Sequence, residues 1–299
     1  MTKHINEKWF VLHAPTHSDY LVYWTGRKIM RKYGDLSANE KFYPPQVVGE
    51  FLTRLKNILK YGLWMTKRAK DDFIETRNRK FLKPNVPRVC FTELKISDSL
   101  LHAKSFGPMG IGFKSLFVLN RLGSPVYYVS KFSFHPFFPP YSNLYDPDSS
   151  DFEMFCFFKN MSSGRDVQRH IAYDLYEESE WRIIFSENIK KKTPDRQKAY
   201  FIDPKDPSTG RYHDFYINLK TDIKPEYLVP VDEWLALIIY PNLQIKNAAL
   251  DNPEIRSLLS SLKSQEKIKK RNLILAEGIP DTEVVNFPAE IDIGAIRNF

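Results

Sequence analysis

The segment 86–130 constrains the fold more than any other part of the chain, because signals for several elements follow one another in it. Residues 89–92 form a short apolar, β-prone run that predicts a strand, and a polar helix carrying His102 follows it. The glycines between Gly107 and Gly112 predict a glycine-rich turn. The last two elements of the segment are a helix and a strand, expected over 114–122 and 125–130. This order of elements is typical of ligand sites in α/β and α+β proteins.

The glycine-rich stretch is close to a phosphate-binding loop. It reads GPMGIGFKS over 107–115, against the pattern G-x-x-x-x-G-K-[ST]. Phe113 is inserted between the last glycine and Lys114, and this insertion changes the direction of the lysine side chain. In a phosphate-binding loop the backbone amides and the lysine must converge on one phosphate. We therefore favour a tight turn packed onto a strand.

The remaining sequence predicts a mixed α+β fold, because strands outnumber long helices and do not alternate with them regularly. Strands are expected over 21–25, 154–158 and 212–219, and a strand or a helix over 232–240. Helices are expected over 46–61, where Gly62 ends the apolar periodicity, and over 255–275. Three polar stretches are expected at the surface, the first as a helix or a loop and the others as loops: 66–85, 133–150 and 187–212.

Size and charge limit the classes of partner. The chain has 299 residues, of which 42% are hydrophobic, and this is enough for one sizeable domain or one domain with an extension. No stretch approaches the roughly 20 apolar residues of a membrane span, and the beginning of the chain lacks the apolar run of a secretory signal. We expect no membrane partner. The net charge of +8 is diffuse, with clusters at 190–192 and 263–271, and it favours a polyanion such as RNA or DNA.

The two cysteines indicate a reducing compartment. Cys90 and Cys156 each lie in an apolar run, and this predicts two buried free thiols in the cytoplasm. Two cysteines without paired spacing do not predict a metal site.

The segment 176–185 carries the clearest candidate chemistry. If it forms a strand, alternation turns Trp181, Ile183 and Phe185 toward the core. Glu178, Glu180 and Arg182 then share the other face. Two carboxylates on one strand face suit a site that stabilises developing positive charge, such as an oxocarbenium-like transition state. The alternative is a solvated strand face on which Glu180 pairs with Arg182.

Three short segments carry a family resemblance. The first is LVYWTGR at 21–27 with the helix ending ILKYG at 58–62, and the second is VCFTE at 89–93 with HAKSFGPMGIGFK at 102–114 and PVYY at 125–128. The third is ESEWR at 178–182. In order and spacing they resemble the AbiGi-type abortive-infection proteins of bacterial phage defence, a family that looks like a divergent relative of ADP-ribosyltransferases. The resemblance covers roughly residues 20–185.

The resemblance implies a split, strand-rich core of the ADP-ribosyltransferase type with peripheral helices. It implies such a domain over 1–220, followed by an extension over 221–299 that packs on the same core. NAD would be consumed as a substrate, and Glu180, with Glu178 two residues before it, would be the catalytic carboxylate. The residues implied to bind NAD are Tyr23, Thr25, Gly26, Arg27, Phe91, Thr92, His102 and Lys114.

The implied function is that of a cytoplasmic toxin that transfers ADP-ribose from NAD to nucleic acid and is restrained by a cognate antitoxin. One departure from the pattern keeps a second interpretation open, since Tyr23 or Trp24 stands where a first-strand histidine is expected. The chain would then be a non-catalytic antitoxin or binding protein that neutralises a partner toxin. A third interpretation is a nucleic-acid-binding module that uses the basic stretch 263–271.

Overall fold

A seven-stranded sheet organises the part of the chain that the structure, a computed structural model, describes. The described residues are 20–34, 36–37, 40–75, 80–93, 99–130, 152–161, 179–192, 200–232, 234–263 and 288–298. Their strands are β1 (Tyr20–Thr25), β2 (Leu63–Met65), β3 (Phe73–Glu75), β4 (Lys80–Leu82), β5 (Arg88–Glu93), β6 (Met109–Lys114), β7 (Ser124–Pro125), β8 (Tyr127–Ser130), β9 (Phe158–Met161), β10 (Glu180–Ile184), β11 (Tyr227–Val229), β12 (Leu235–Tyr240) and β13 (Ala289–Asp292). The order across the main sheet is β13-β12-β6-β1-β5-β10-β7.

The sheet is antiparallel except at one edge, where β13 runs parallel to β12. The helices of the described ranges are α1 (Arg27–Lys32), α2 (Pro45–Tyr61), α3 (Ser99–Phe106), α4 (Ser115–Leu119), α5 (Glu187–Lys192), α6 (Arg211–Ile217), α7 (Leu243–Leu250) and α8 (Pro253–Lys263). Helices and a mixed sheet in this arrangement make the fold α+β, as the sequence predicts.

The two faces of the sheet have different surroundings. The face that carries Leu21, Phe91 and Ile183, here called the core face, is buried in the main hydrophobic core under α2, α4, α7 and α8. The opposite face carries Val22 and Trp24, and this part of it is covered by α3 and by the 3₁₀ turn Ala295–Asn298 with the preceding Ile293. Farther along, the opposite face of β5 and β10 carries the charged side chains of Arg88, Glu180 and Arg182 beside a small apolar cluster formed by Ile184, Cys156 and Phe157.

Helix α2 covers the core face and follows its sequence signals closely. Proline stands at its first position, where the missing N–H costs nothing, and Gly62 ends it with a positive φ of 96°. Its buried residues recur at helical spacing: Val47, Phe51, Leu55, Ile58 and Leu59. Full burial of one such side chain contributes about 1.5–3 kcal/mol, so this stripe anchors the helix to the sheet. The prediction for 46–61 is confirmed.

The segment 86–130 contains the expected first strand, β5, and the helix with His102, α3, but the predicted glycine-rich turn is shorter than expected and consists of Gly107 and Pro108. Gly110 and Gly112 lie inside strand β6. A Cβ on Gly112 would lie 2.8 Å from Leu237 Cβ, so these glycines make room for the side chains of β12. Because this stretch is a strand, it forms no phosphate-binding loop.

The two elements after the glycines are shorter than expected. The helix predicted over 114–122 is α4, Ser115–Leu119, because Lys114 still belongs to β6. The strand predicted over 125–130 is split into β7 and β8, which pair with different strands. The break lies at Val126, whose N–H is bonded to the carbonyl of Glu180.

Two of the predicted strands are helical in the structure. In both, aromatic residues recur every three residues, a spacing that places them on one face of a helix. The stretch 212–219 forms α6, and helical spacing brings Tyr212 and Phe215 onto Tyr61, whose ring stacks on Phe215 at 4.0 Å. The stretch 154–158 is mostly a 3₁₀ helix, Phe152–Phe157, which places Phe155 in contact with Phe152. Both errors come from mistaking aromatic content for alternation.

Surface predictions hold only in part. The stretch 66–85 contains the hairpin β3–β4 and the buried Lys83, so it is neither a helix nor wholly exposed. The stretch 187–212 contains α5 and the buried Phe201. The expected loop at 133–150 lies outside the described residues, as does the end of the helix predicted over 255–275, of which α8 forms the first part.

The C-terminal residues contribute to the main sheet. Strand β12 pairs with β6 near the middle of the sheet, and β13 pairs with β12. The residues that we assign to an extension over 221–299 therefore supply two of the seven strands, while the boundary at 220 stays a prediction. Among the described ranges, no helix has the length and apolar character needed to cross a membrane.

We predict that Gly107→Ala destabilises the protein strongly. Gly107 has a φ of 112°, and a Cβ there would lie 2.3 Å from the backbone nitrogen of Arg27 and 2.4 Å from the carbonyl oxygen of Thr25. Gly34→Ala is the matched control, because Gly34 has a φ of 90° and nothing within 4 Å of an added Cβ. Both variants incur about 1–2 kcal/mol of backbone strain. Urea unfolding should show at least about 2 kcal/mol more loss for Gly107→Ala, and equal losses would contradict the described packing.

Candidate functional site

Glu180 lies in a buried ion pair on the opposite face, on the strand next to the β7 edge of the sheet. Its Oε1 accepts a hydrogen bond from Arg182 Nε at 2.7 Å, and its Oε2 accepts one from Lys159 Nζ at 2.9 Å. Glu180 is 7% exposed and Arg182 is fully buried. Burial by itself raises the pKa of Glu180, but the charges and hydrogen bonds of Arg182 and Lys159 outweigh burial and hold the pKa well below its ordinary value. The carboxylate is therefore ionised at neutral pH.

Arg182 joins three elements. Besides Glu180 it donates from Nη1 to the carbonyl oxygen of Cys156, in the 3₁₀ helix before β9. Lys159, on β9, completes the connection from the other side of Glu180. The pairing of Glu180 with Arg182 matches the alternative weighed from the sequence, but the pair is buried rather than solvated.

A second group of charges borders this pair. Lys83 Nζ lies 2.8 Å from Asp72 Oδ2 and donates to the carbonyl oxygen of Phe158 at 2.7 Å. Arg88 Nη1 lies 3.8 Å from the same Asp72 oxygen. Burial, followed by the charge of Arg182, lowers the pKa of Lys83 to about 8. We call the following six residues the ion cluster: Asp72, Lys83, Arg88, Lys159, Glu180 and Arg182.

The strand register divides the implied NAD-binding residues between the two faces. Thr92 stands directly across from Glu180, so both side chains lie on the opposite face. Phe91 stands across from Trp181, on the core face, and Tyr23 packs edge-on against Phe91 at 6.3 Å between ring centroids. Burial raises the pKa of the Tyr23 phenol. The sheet itself therefore separates Tyr23 and Phe91 from Glu180.

Two further implied residues lie on the opposite face but away from Glu180. His102 is 2% exposed and stacks on Trp24 and on Phe106, so it fills the layer between α3 and the sheet. Lys114 lies over the ring of Tyr20 at 4.7 Å. Three strand spacings separate β6 from β10, a distance of about 14 Å. His102 packs on Trp24 of β1, which is two strand spacings from β10, about 10 Å.

The remaining implied residues line a groove at the end of β1. Thr25, Gly26 and Arg27 form one wall of a space of about 1330 Å³ between α1, α2 and the loop 219–226. Gly26 has a φ of 105° and packs against Phe51, which explains the need for glycine there. Seven basic residues line this basic groove, against Glu50, Asp222 and Glu226: Arg27, Lys28, Lys32, Arg54, Lys67, Lys220 and Lys224.

The structure corrects one cysteine prediction. Cys156 is buried and free, as expected, but Cys90 is exposed. Val89 and Phe91 take the buried positions of β5, and alternation turns Cys90 to the opposite face beside Arg182. An exposed side chain in the middle of a sheet, next to the buried Arg182, marks a depression in that face.

Sequence analysis missed four members of the ion cluster: Asp72, Lys83, Arg88 and Lys159. Asp72 and Lys83 lie in the stretch that we expected at the surface, and no motif distinguishes them. Arg88 offers a signal for the cluster, since it begins the otherwise apolar strand β5. A charged residue in a buried strand requires a partner of opposite charge. Glu178 lies outside the described residues.

Chemically, the arrangement suits anions and charge stabilisation rather than a metal. Within the described residues, no group of three or more histidine, cysteine, aspartate or glutamate side chains has the geometry to hold a metal ion. No protein-family model, curated protein or solved structure matches the chain. The function must therefore be inferred from the charges and their geometry.

We predict strong coupling between Glu180 and Arg182 in a double-mutant cycle. Glu180→Gln leaves the buried Arg182 without its carboxylate, at a cost of about 3–5 kcal/mol in the free energy of unfolding, and Arg182→Met leaves Glu180 with Lys159 as its one remaining cation, at a somewhat smaller cost. The double variant should lose about 2 kcal/mol less than the sum of the two losses. Chemical denaturation at pH 7 measures all four proteins, and additive losses would show that the ion pair does not form.

We also predict a pH signature of this carboxylate. A lowered pKa means that Glu180 stabilises the folded state fully above the unfolded-state pKa of about 4.5, and that this stability is lost as the pH falls below it. The difference in free energy of unfolding between wild type and Glu180→Gln should therefore shrink from pH 6 to pH 3, by at most about 1.4 kcal/mol per pH unit. Glu254→Gln, at an exposed ion pair, is the control. A difference that stays constant would refute the assignment.

Proposed function

We propose that the protein is an NAD-dependent ADP-ribosyltransferase of bacterial phage defence, with an ADP-ribosyltransferase-like core and Glu180 as its carboxylate. It would act in the cytoplasm, and a cognate antitoxin would restrain it. The observation that carries the proposal is Glu180 itself, an ionised carboxylate in a depression of the sheet, directly across from Thr92. Such a carboxylate can stabilise the oxocarbenium ion that forms when the nicotinamide glycosidic bond breaks.

For this role one oxygen of Glu180 must become available to the ribose. Arg182 is fully buried and fixed by Glu180 and by the Cys156 carbonyl, whereas Lys159 is 19% exposed at its side chain and has a flexible stem. Lys159 is therefore the partner that can leave. A diphosphate bound nearby would attract its ammonium group and release Oε2, so that substrate binding itself would prepare the carboxylate.

The basic groove supports nucleic acid as the acceptor. Seven basic and three acidic residues line it, and Trp64 and Tyr216 supply aromatic rings within it. A positively charged groove with aromatic side chains is typical of surfaces that bind single-stranded nucleic acid without strong sequence preference. The groove opens beside Arg27, so a nucleic-acid chain bound in it would stay outside the buried ion cluster.

A second candidate function is a non-catalytic antitoxin or binding protein. The specific observation in its favour is that cations occupy both oxygens of Glu180, as in a purely structural ion pair. The separation of Tyr23 and Phe91 from Glu180 favours it further, because these residues then bind nothing in the depression.

The test is NAD turnover by the purified protein, with RNA and single-stranded DNA as acceptors. The first candidate predicts release of nicotinamide, or transfer of ADP-ribose, and a loss of about 100-fold or more in Glu180→Gln. Glu254→Gln should keep wild-type activity, since its ion pair with Lys56 is at the surface. Circular dichroism must show that both variants are folded.

Growth of a bacterial host separates the two candidates. A toxin arrests growth when expressed alone, and Glu180→Gln should relieve the arrest. A non-catalytic antitoxin is harmless alone and rescues a host from its neighbouring toxin, with the same effect in Glu180→Gln. Absence of turnover, combined with harmless expression, would overturn the transferase proposal.

A further inference from the structure

Arg88 is a buried cation without a hydrogen-bond acceptor. It is 6% exposed, and none of its three guanidinium nitrogens has a hydrogen-bond partner among the described residues. Its ion pair with Asp72, at 3.8 Å, is too long for a hydrogen bond. Five N–H donors withdrawn from water without an acceptor cost several kcal/mol, so an anion is the expected partner.

Arg182 adds a second unsatisfied donor on the same face. Its Nε and Nη1 are bonded, but its Nη2 has no partner in the described part of the chain. Cys90 stands directly across from Arg182 on the neighbouring strand, two residues from Arg88. Alternate residues of a strand are about 7 Å apart, within the length of an arginine side chain. The two guanidinium groups thus flank the depression that the exposed Cys90 marks.

The charges of the ion cluster do not balance. Among the described residues, Lys83, Arg88, Lys159 and Arg182 carry four positive charges, and Asp72 and Glu180 carry two negative charges. The exposed Arg68, 2.7 Å from Asp72 Oδ2, adds a fifth positive charge at the edge of the cluster. This excess of at least two positive charges is enough to bind a phosphoryl group, which carries about −1.5 to −2 near neutral pH. Guanidinium groups bind phosphate oxygens through paired N–H donors, in a geometry that an ammonium group does not offer.

We propose that this depression, with Arg88 and Arg182 on either side of Cys90, binds the phosphoryl group of a small phosphorylated ligand. The site is distinct from the basic groove, which is exposed and lined by lysines. It does not depend on NAD turnover, because a partner protein without catalysis could hold the same ligand. Bound phosphate would neutralise the excess charge and would give the unpartnered guanidinium nitrogens their acceptors.

Cys90 is a built-in reporter for the test. Of the two cysteines in the chain, Cys90 is exposed and Cys156 is buried, so alkylation of the native protein by N-ethylmaleimide reports on Cys90. The surrounding protein and the charge of Glu180 raise the pKa of the Cys90 thiol to about 12, so labelling is followed over hours in mildly alkaline buffer, with the same pH in every arm. The labelling rate, followed by intact-protein mass spectrometry, is compared with and without inorganic phosphate, pyrophosphate, ADP-ribose and a 5′-phosphorylated oligonucleotide. Sodium chloride and acetate at equal ionic strength are the reference anions.

We expect at least one phosphorylated compound to slow labelling about 10-fold at saturation. Arg88→Gln should abolish this protection, while Arg68→Gln should keep it, because Arg68 is an exposed partner of the same Asp72. Protection by inorganic phosphate identifies a free phosphate site, and protection only by ADP-ribose or by the oligonucleotide identifies a nucleotide or a strand end as the source. Arg88→Lys is the control for misfolding of Arg88→Gln. It keeps the positive charge and should therefore retain protection, though weaker than in the wild type.

Two results would overturn the proposal. One is an unchanged labelling rate with every phosphorylated compound, and the other is equal protection by chloride or acetate, which would reflect ionic strength alone. The outcome is separable from the transferase hypothesis, because a protein that binds phosphate but never releases nicotinamide keeps this site and loses only the enzymatic role.

Discussion

The buried pair of Glu180 and Arg182 is the interaction on which the rest of the opposite face depends. Arg182 has no exposure, so its charge must be balanced inside the fold, and Glu180 and the Cys156 carbonyl do this together. The same contacts attach β9 and the 3₁₀ helix before it to β10. Because removing one partner of a buried pair costs far more than an exposed pair contributes, this pair holds the depression in one shape.

Two positively charged regions of different character follow from this arrangement. The ion cluster is buried, holds an excess of two cations and has unsatisfied guanidinium donors, features that suit a small dianion. The basic groove is open and lined mainly by exposed lysines, features that suit a long polyanion. A transferase that moves ADP-ribose to nucleic acid needs one site of each kind. Lys159 links anion binding to the proposed role of Glu180. An anion that attracts the ammonium group of Lys159 also frees the Oε2 atom of Glu180.

Local patterns predicted local structure well but did not predict which faces meet. The alternation around Trp181 and Ile183 correctly indicated β10, and the apolar spacing of α2 marked its length. The side of the sheet on which Tyr23 lies is decided by register between strands about 70 residues apart, and no local pattern encodes it. Arg182 bonds Glu180 within the ESEWR motif, but its second partner is the Cys156 carbonyl in the 3₁₀ helix before β9, so the motif alone did not reveal that the pair is buried. The prediction of a glycine-rich turn failed at Gly112 for the same reason. Gly112 makes room for the side chain of Leu237, which is far away in the sequence.

A crystal structure with a non-hydrolysable NAD analogue tests the central claim most directly, namely that the depression around Glu180 is a ligand site. We expect the diphosphate between Arg88 and Arg182, the nicotinamide ribose against Glu180, and Lys159 turned away from the carboxylate. An analogue bound only in the basic groove beside Arg27, or a Glu180 still held by both cations with the analogue bound elsewhere, would contradict it.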